Sequence, residues 1–497
     1  SAAAATAAAS AAADAAALRL TDEQMRAVRL ATSGRRLVVL TGGPGTGKTR
    51  TVQHIVGAWK AAGKKIALAC PTARGAAVLT ELTGLQASTV HRLLEFQPTE
   101  ATFSRTALNT IDADTIVVDE ASMLDAALAA RLLDALPLRC TLLLVGDADQ
   151  LPSVGPGQVL RDLLNCAAVQ RVELRQVFRF DGSGEIALNA QLVNEGKMMT
   201  HLQYLMPDEL PEPAEMRGCK LVMASTADDA RAAICGPVLA WLERAGYDLH
   251  TDLQVLSPTK QGEAGSRALN RDLQALLNPH AARHARARAP GARPPPPVFV
   301  GDRVIQLVND YEGGVFNGDV GTVVEACDVT RKFKVAFRST DAASTEGNVG
   351  APRQLGYLYT DLDKALALAY ALTVHKAQGS EYPVVIVPAL LEHSAMLYRN
   401  LLYTAISRAK TLLVIVGSTR ALEACVAEDS RLRRLTRLTH LISTETRAVH
   451  EVDVDAYVAP ADFPPPLARQ PSKRDADARP AAVRRTGRPV ERAAARV

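Results

Sequence analysis

The stretch Gly42–Thr49, GGPGTGKT, constrains this chain more than any other. It matches G-x-x-x-x-G-K-[ST] in full. It follows the apolar run RLVVL and opens a helical pattern, TRTVQHIVGAWKAAG. A glycine-rich turn between a strand and a helix lets backbone N–H groups curl around phosphate oxygens, and the helix N-terminus adds a favourable field. Gly42, Gly43, Pro44, Gly45, Thr46 and Gly47 are therefore read as a phosphate cradle. Lys48 is placed to reach the β- and γ-phosphates of ATP, and the Thr49 hydroxyl to ligate Mg²⁺. A cradle of this kind needs a parallel sheet behind it, which sets what the rest of the sequence must supply.

The runs RRLVVLT, KKIALACP, DTIVVDE and CTLLLVGD are continuous and apolar, as strands buried on both faces are. Helical patterns separate them, so an α/β domain with a mostly parallel sheet is expected. A second set, KLVMA, LQVLSPT, PVVIVPAL and TLLVIVG, predicts a second such domain. Between about 299 and 356 the pattern changes to short β runs broken by Gly, Asn and Asp, which reads as a small antiparallel barrel inserted in the second domain.

Composition excludes several classes. Of 497 residues, 47% are hydrophobic and 22% charged, within the range of a globular protein. The net charge of +4 is too mild to argue a nucleic-acid partner alone. The seven cysteines are scattered with no CxxC pair, so reduced thiols are expected rather than a metal site or a disulfide frame. No apolar run is long enough to span a bilayer. The alanine-rich start, residues 1–17, and the Pro/Ala/Arg tail, residues 459–497, are expected to be disordered, the tail with a basic character. The first residue is not Met, which fits a fragment or a processed form.

A phosphate cradle requires a second magnesium ligand at a neighbouring strand tip. TIVVDEAS supplies Asp119 for the metal and Glu120 to take a proton from attacking water. The next strand ends in VGDADQLPSVGPG, where Gln150 carries an amide able to sense the γ-phosphate or orient water. Arg179 in RVELRQVFRF and Arg408 in LLYTAISRAK are placed as cations that meet the γ-phosphate in its transition state. Arg408 has a second reading, a structural salt bridge to a carboxylate.

The ordered set GGPGTGKT, CPTARGA, STVHRLL, VVDEASMLD, GDADQLPSVGPG, LSPTKQGEAGSRALN, FNGDVG, ALTVHKAQGSEYP and YTAISRAK resembles the motifs of RecD-type superfamily 1 DNA helicases, from about residue 18 to 425. The resemblance implies two RecA-like P-loop domains with parallel sheets and an SH3-like barrel in the second. The expected boundaries are 18–170 for the first domain, with a short insertion at about 92–114. The second domain takes 171–298 and 357–440, and the barrel 299–356. It implies ATP-driven, five-prime to three-prime movement on single-stranded DNA and unwinding at single-strand/duplex junctions, in repair or recombination. The motor would be monomeric and intracellular, with protein partners of a repair complex and no membrane. The compartment would be the cytoplasm in a bacterium, or the nucleus or an organelle in a eukaryote. Carried over by position, Gln24 would read adenine, and Gly379 and Glu381 would lie on the nucleotide side. Thr72, Arg74, His91, Asn317, Thr373 and His375 would contact DNA. One departure is FRF where the family has FRQ after the first arginine, with Arg175-Gln176 as an alternative register. Two other readings stay open: a motor subunit of a helicase–nuclease complex, and a DNA-binding scaffold with a decayed ATPase.

Overall fold

The computed structural model describes residues 20–177, 184–212, 216–286, 296–310, 312–337, 352–428, 434 and 436–449. Arg179, Phe180 and the two low-complexity ends lie outside the described residues.

The first lobe is built on a six-stranded sheet. Across it run Ala87–Thr89, Ile66–Cys70, Thr115–Val118, Thr141–Gly146, Leu37–Gly42 and Gln170–Leu174, each pair parallel. Successive residues serve opposite faces, as the pleat dictates. Val39 and Leu144 pack into one core layer with Leu124, Leu128 and Leu132. Val38, Leu40 and Leu143 pack into the other with Val52, Ile55 and Trp59. That second set lies on the helix Lys48–Ala61, whose apolar stripe repeats at three- and four-residue spacing. The strand Gln170–Leu174 completes this sheet, so the first lobe runs past the expected boundary at 170.

The second lobe repeats the plan. Its strands lie in the order Ala371–Thr373, Leu253–Ser257, Tyr382–Ala389, Ala409–Gly417, Gly218–Met223 and Gln203–Leu205, again all parallel. One face buries Leu221, Leu413 and Ile415, and the other Val222, Leu412 and Val414. A five-stranded antiparallel sheet, Arg353–Leu358, Lys332–Phe337, Val320–Cys327, Arg303–Gln306 and Leu366–Leu368, forms the inserted barrel around Val304, Phe333, Val335 and Phe337. Its last strand lies beyond the expected end at 356, because Leu366–Leu368 pairs back onto Arg303–Gln306. Within the expected insertion of the first lobe sits one small hairpin, Phe96–Gln97 against Thr102–Phe103. No described helix is long and apolar enough to cross a membrane.

Candidate active site at the lobe boundary

The strand Leu37–Gly42 ends in the glycine turn, and the helix Lys48–Ala61 leaves it. Gly45 and Gly47 have φ of 75° and 81°, a left-handed backbone that favours glycine. Gly42 is fixed by space instead: an added Cβ would stand 2.7 Å from the Leu174 carbonyl oxygen. Lys48 Nζ donates to the carbonyls of Gly42 at 2.6 Å and Gly43 at 2.9 Å. Thr46 Oγ1 donates to the Gly43 carbonyl at 2.8 Å. Gln24 is 2% exposed, and its Nε2 donates to the Thr46 carbonyl at 3.4 Å while its Oε1 accepts from Thr21 N–H. Gln24 thus caps its own helix and braces the cradle, and its amide is already engaged.

Asp119 ends the strand Thr115–Val118 beside Glu120, which takes a left-handed φ of 53°. Burial, then the neighbouring Glu120 carboxylate, pushes Asp119 up to about 7, with Lys48 pulling down. A buried carboxylate in this condition is suited to a cation, and with the Thr49 hydroxyl it offers a hard oxygen pair of the kind Mg²⁺ takes alongside phosphate and water. The two residues fit the metal expected from the sequence.

The loop after Thr141–Gly146 reaches into the second lobe. Leu151 is fully buried and joins the core of that lobe with Leu401, Leu402 and Ile406. Its N–H donates to Thr404 Oγ1 at 2.9 Å, and its carbonyl accepts from Gln378 Nε2 at 3.0 Å. Asn400 Nδ2 donates to the Asp149 carbonyl at 2.8 Å. Further along, the Arg434 guanidinium donates to the carbonyls of Ser153, Gly155 and Gly157. The loop is therefore a peg of the first lobe in a socket of the second. Leu151→Ala is expected to cost about 2–5 kcal/mol by emptying that socket. Equilibrium unfolding measures it, and an unchanged midpoint would contradict the burial.

Gln150 lies at the root of the peg. Its Nε2 donates to Asp147 Oδ2 at 3.2 Å. Its Oε1 and the Ser122 hydroxyl are buried polar atoms without a protein partner among the described residues. Both residues line one cavity with about 20 Å³ of water-accessible space, shared with Asn400 of the second lobe. That is room for about one water. An uncommitted acceptor at this place suits the expected sensing role.

Arg408 is 3% exposed. Its Nη1 donates to the Ser380 carbonyl at 3.1 Å, its Nη2 to Ser407 Oγ at 3.0 Å and its Nε to the Thr404 carbonyl at 3.3 Å. Among the described residues no carboxylate pairs with it within salt-bridge distance. These contacts are all within its own lobe. Arg175, the alternative register, is an exposed residue paired with Glu173 at 2.8 Å.

The residues expected to meet DNA fall into two groups. Some touch across the lobe boundary. Gly379 was expected on the nucleotide side, but a Cβ on it would stand 3.1 Å from Thr72 Oγ1, which caps the helix Ala73–Thr83, so it lies beside Thr72 instead. Arg74 donates to the Tyr382 hydroxyl at 3.3 Å and lies 5.1 Å from that ring's centroid. It lines a cleft of about 1060 Å³ with Arg303 of the barrel and Tyr382 of the second lobe. Thr373 and Lys376 line a cleft of about 620 Å³ with Lys260 and Arg271. Arg303, Lys260 and Lys376 drew no expectation from the sequence, although Lys260 and Lys376 stand inside quoted motifs. Burial, then Lys260, pushes the Lys376 ammonium below its ordinary value.

The remaining residues have other neighbours. His91 packs against the rings of Phe96 and Phe103, at 5.7 and 5.9 Å between centroids, and burial pushes its imidazole below the usual value. It supports the small hairpin. His375 is likewise pushed down by burial. Asn317 is exposed on a barrel loop whose neighbour Phe316 borders a small cavity of the first lobe with Ala73, Ala76 and Thr89. Glu381, expected on the nucleotide side, pairs with Lys410 at 3.5 Å and lines the cleft that holds Arg74, Arg303 and Tyr382.

Two parallel-sheet lobes meeting beside a phosphate cradle, with a barrel set into the second, are the architecture of the superfamily 1 helicase class. Residues 19–208 match an AAA domain, 269–337 the ATP-dependent RecD-like DNA helicase SH3 domain, and 368–416 the UvrD-like helicase C-terminal domain. The chain is 35% identical to the ATP-dependent RecD2 DNA helicase of Deinococcus radiodurans over 84% of its length and 52% of that protein. It is 34% identical to the RecBCD enzyme subunit RecD of Mycolicibacterium smegmatis over 82% of its length and 73% of that subunit. The chain belongs to the RecD family of superfamily 1 DNA helicases. It spans about half the length of the Deinococcus relative. Among solved structures, the Pif1 helicase from Candida albicans aligns over 86% of this chain and 100% of that one, at 18% identity and a TM-score of 0.47.

Proposed function

We propose that this chain hydrolyses ATP to move five-prime to three-prime on single-stranded DNA and to separate duplex ahead of it, in repair or recombination. One observation supports the reading: the phosphate cradle and the expected DNA contacts Thr72 and Arg74 lie along one lobe boundary. Tyr403 and Leu151 bridge it beside the cradle, and Thr72, Gly379, Arg74 and Tyr382 meet across it elsewhere. Work done at the cradle must alter those contacts.

In this reading Lys48 leaves its carbonyl partners for the β- and γ-phosphates. Thr49 and Asp119 hold Mg²⁺, which when bound neutralises phosphate charge. Glu120 takes the proton of the water that attacks the γ-phosphorus while the bond to ADP breaks. Gln150 orients that water through its uncommitted oxygen. Arg408 turns from the Ser380 carbonyl to the γ-phosphate as its charge spreads. Arg179 is assigned the second cationic role by its motif position. The clefts lined by Arg74, Arg303, Lys260 and Lys376 supply cations for a sugar-phosphate strand, contacts that bind without reading sequence.

A second reading, a motor subunit of a helicase–nuclease assembly, is favoured by the likeness to a RecBCD subunit. Strand displacement on duplexes with a five-prime or a three-prime overhang tests the first reading. Unwinding only from the five-prime overhang is expected. Hydrolysis stimulated by single strands without displacement would favour the assembly subunit, and hydrolysis indifferent to DNA would overturn both.

A further inference from the structure

Tyr403 drew no expectation from the sequence, where it reads as one more large apolar position in LLYTAISRAK. In the structure it is 2% exposed, and its hydroxyl donates to Asp147 Oδ2 at 2.7 Å across the lobe boundary. Asp147 is also 2% exposed. It accepts the Asp149 N–H on Oδ1 at 3.1 Å and Gln150 Nε2 on Oδ2 at 3.2 Å. The same hydroxyl lies 3.3 Å from the point where a Cβ on Gly43 would stand, so it overhangs the phosphate cradle. Burial, then Asp147, holds the phenol well above its ordinary value, so the group keeps its proton and remains a donor.

We propose that Tyr403 is a positioning residue that sets the register of Arg408 against the Asp147–Gln150 loop and the Gly43 turn, an assignment that rests on the motor reading above. The geometry gives the reason. Tyr403 lies on the helix Arg399–Ile406, and Arg408 follows directly from the end of that helix. A hydroxyl-to-carboxylate bond is short and about twice as strong as a neutral one. It adds to the bonds that Thr404 and Asn400 of the same helix make to Leu151 and Asp149, and it is the contact that ties the helix to the root of the loop beside the Gly43 turn. Transition-state contacts of a cation are lost with displacements near 1 Å. An interaction that orients Arg408 only when phosphate charge spreads acts on kcat and leaves ATP binding alone.

The test uses the full chain with saturating single-stranded DNA. In Tyr403→Phe, kcat for ATP hydrolysis is expected to fall about tenfold with KM for ATP within about twofold of the parent. The thermal unfolding midpoint is expected to fall by no more than a few degrees, as the loss of one buried hydrogen bond implies. Asp147→Asn is expected to fall similarly, and the double variant to fall no further than the weaker single one, because both remove one interaction. An unchanged kcat in Tyr403→Phe overturns the assignment. So does a loss that vanishes when hydrolysis is measured well below the variant's unfolding midpoint, or losses that multiply in the double variant. A parent chain without DNA-stimulated hydrolysis would overturn the motor reading itself. An active parent with an indifferent Tyr403→Phe would overturn this assignment alone.

Discussion

Arg408→Ala is expected to lower kcat for DNA-stimulated ATP hydrolysis by about 10³–10⁵, with nucleotide binding nearly intact. The argument starts from burial. A guanidinium at 3% exposure costs several kcal/mol unless an anion or good acceptors meet it. Here each of its three nitrogens meets a carbonyl or a hydroxyl, which offsets part of the desolvation and leaves its charge uncancelled. Such a charge is available to an anion that appears on the far side of the cleft. Arg408→Lys keeps the charge but loses the planar fork, so an intermediate loss is expected. Nucleotide titration and single-turnover hydrolysis separate the outcomes. Equal losses in binding and turnover would make Arg408 a structural cation.

Lys48→Ala is expected to remove turnover, by a factor on the order of 10³ or more, since it deletes a preorganised donor to the transferred phosphoryl group. DNA affinity should survive, because the clefts lined by Arg74, Arg303, Lys260 and Lys376 do not include Lys48. That affinity should fall steeply and log-linearly with salt, as phosphate contacts do. Filter binding over a salt series, beside steady-state hydrolysis, checks both halves. Retained turnover would contradict the cradle assignment, and DNA binding lost in proportion would show that Lys48 acts through the fold.

The sheets were legible because strands buried on both faces leave unbroken apolar runs, as in LLLVG and VVIVPA. The cradle and the Asp119-Glu120 pair were legible because phosphate chemistry demands fixed residue types at fixed spacing. The lobe boundary was not. Leu151 sits between Gln150 and Pro152 in a stretch that reads as a polar loop, and only the facing lobe makes it a core residue. Tyr403 was hidden for the converse reason: among apolar neighbours its hydroxyl gives no periodic signal. The barrel end was misplaced because Leu366–Leu368 is too short to show alternation, and its partner lies some sixty residues earlier. His91 carries a polar side chain at a motif position, yet two phenylalanines claim it, and ring packing leaves no mark on spacing.

The strand order of the second lobe also governs how the chain can be made. Gly218–Met223 and Leu253–Ser257 are not neighbours; Tyr382–Ala389 and Ala409–Gly417, which come last in synthesis, lie between them. The first lobe can close its sheet once Leu174 has emerged from the ribosome, while the second must wait for more than two hundred further residues. During that interval Leu151 has no socket, and an apolar peg stands open to water on a finished lobe. Nascent chains of this protein are thus exposed to misassociation at one known point, and the arrival of Ala409–Gly417 ends it.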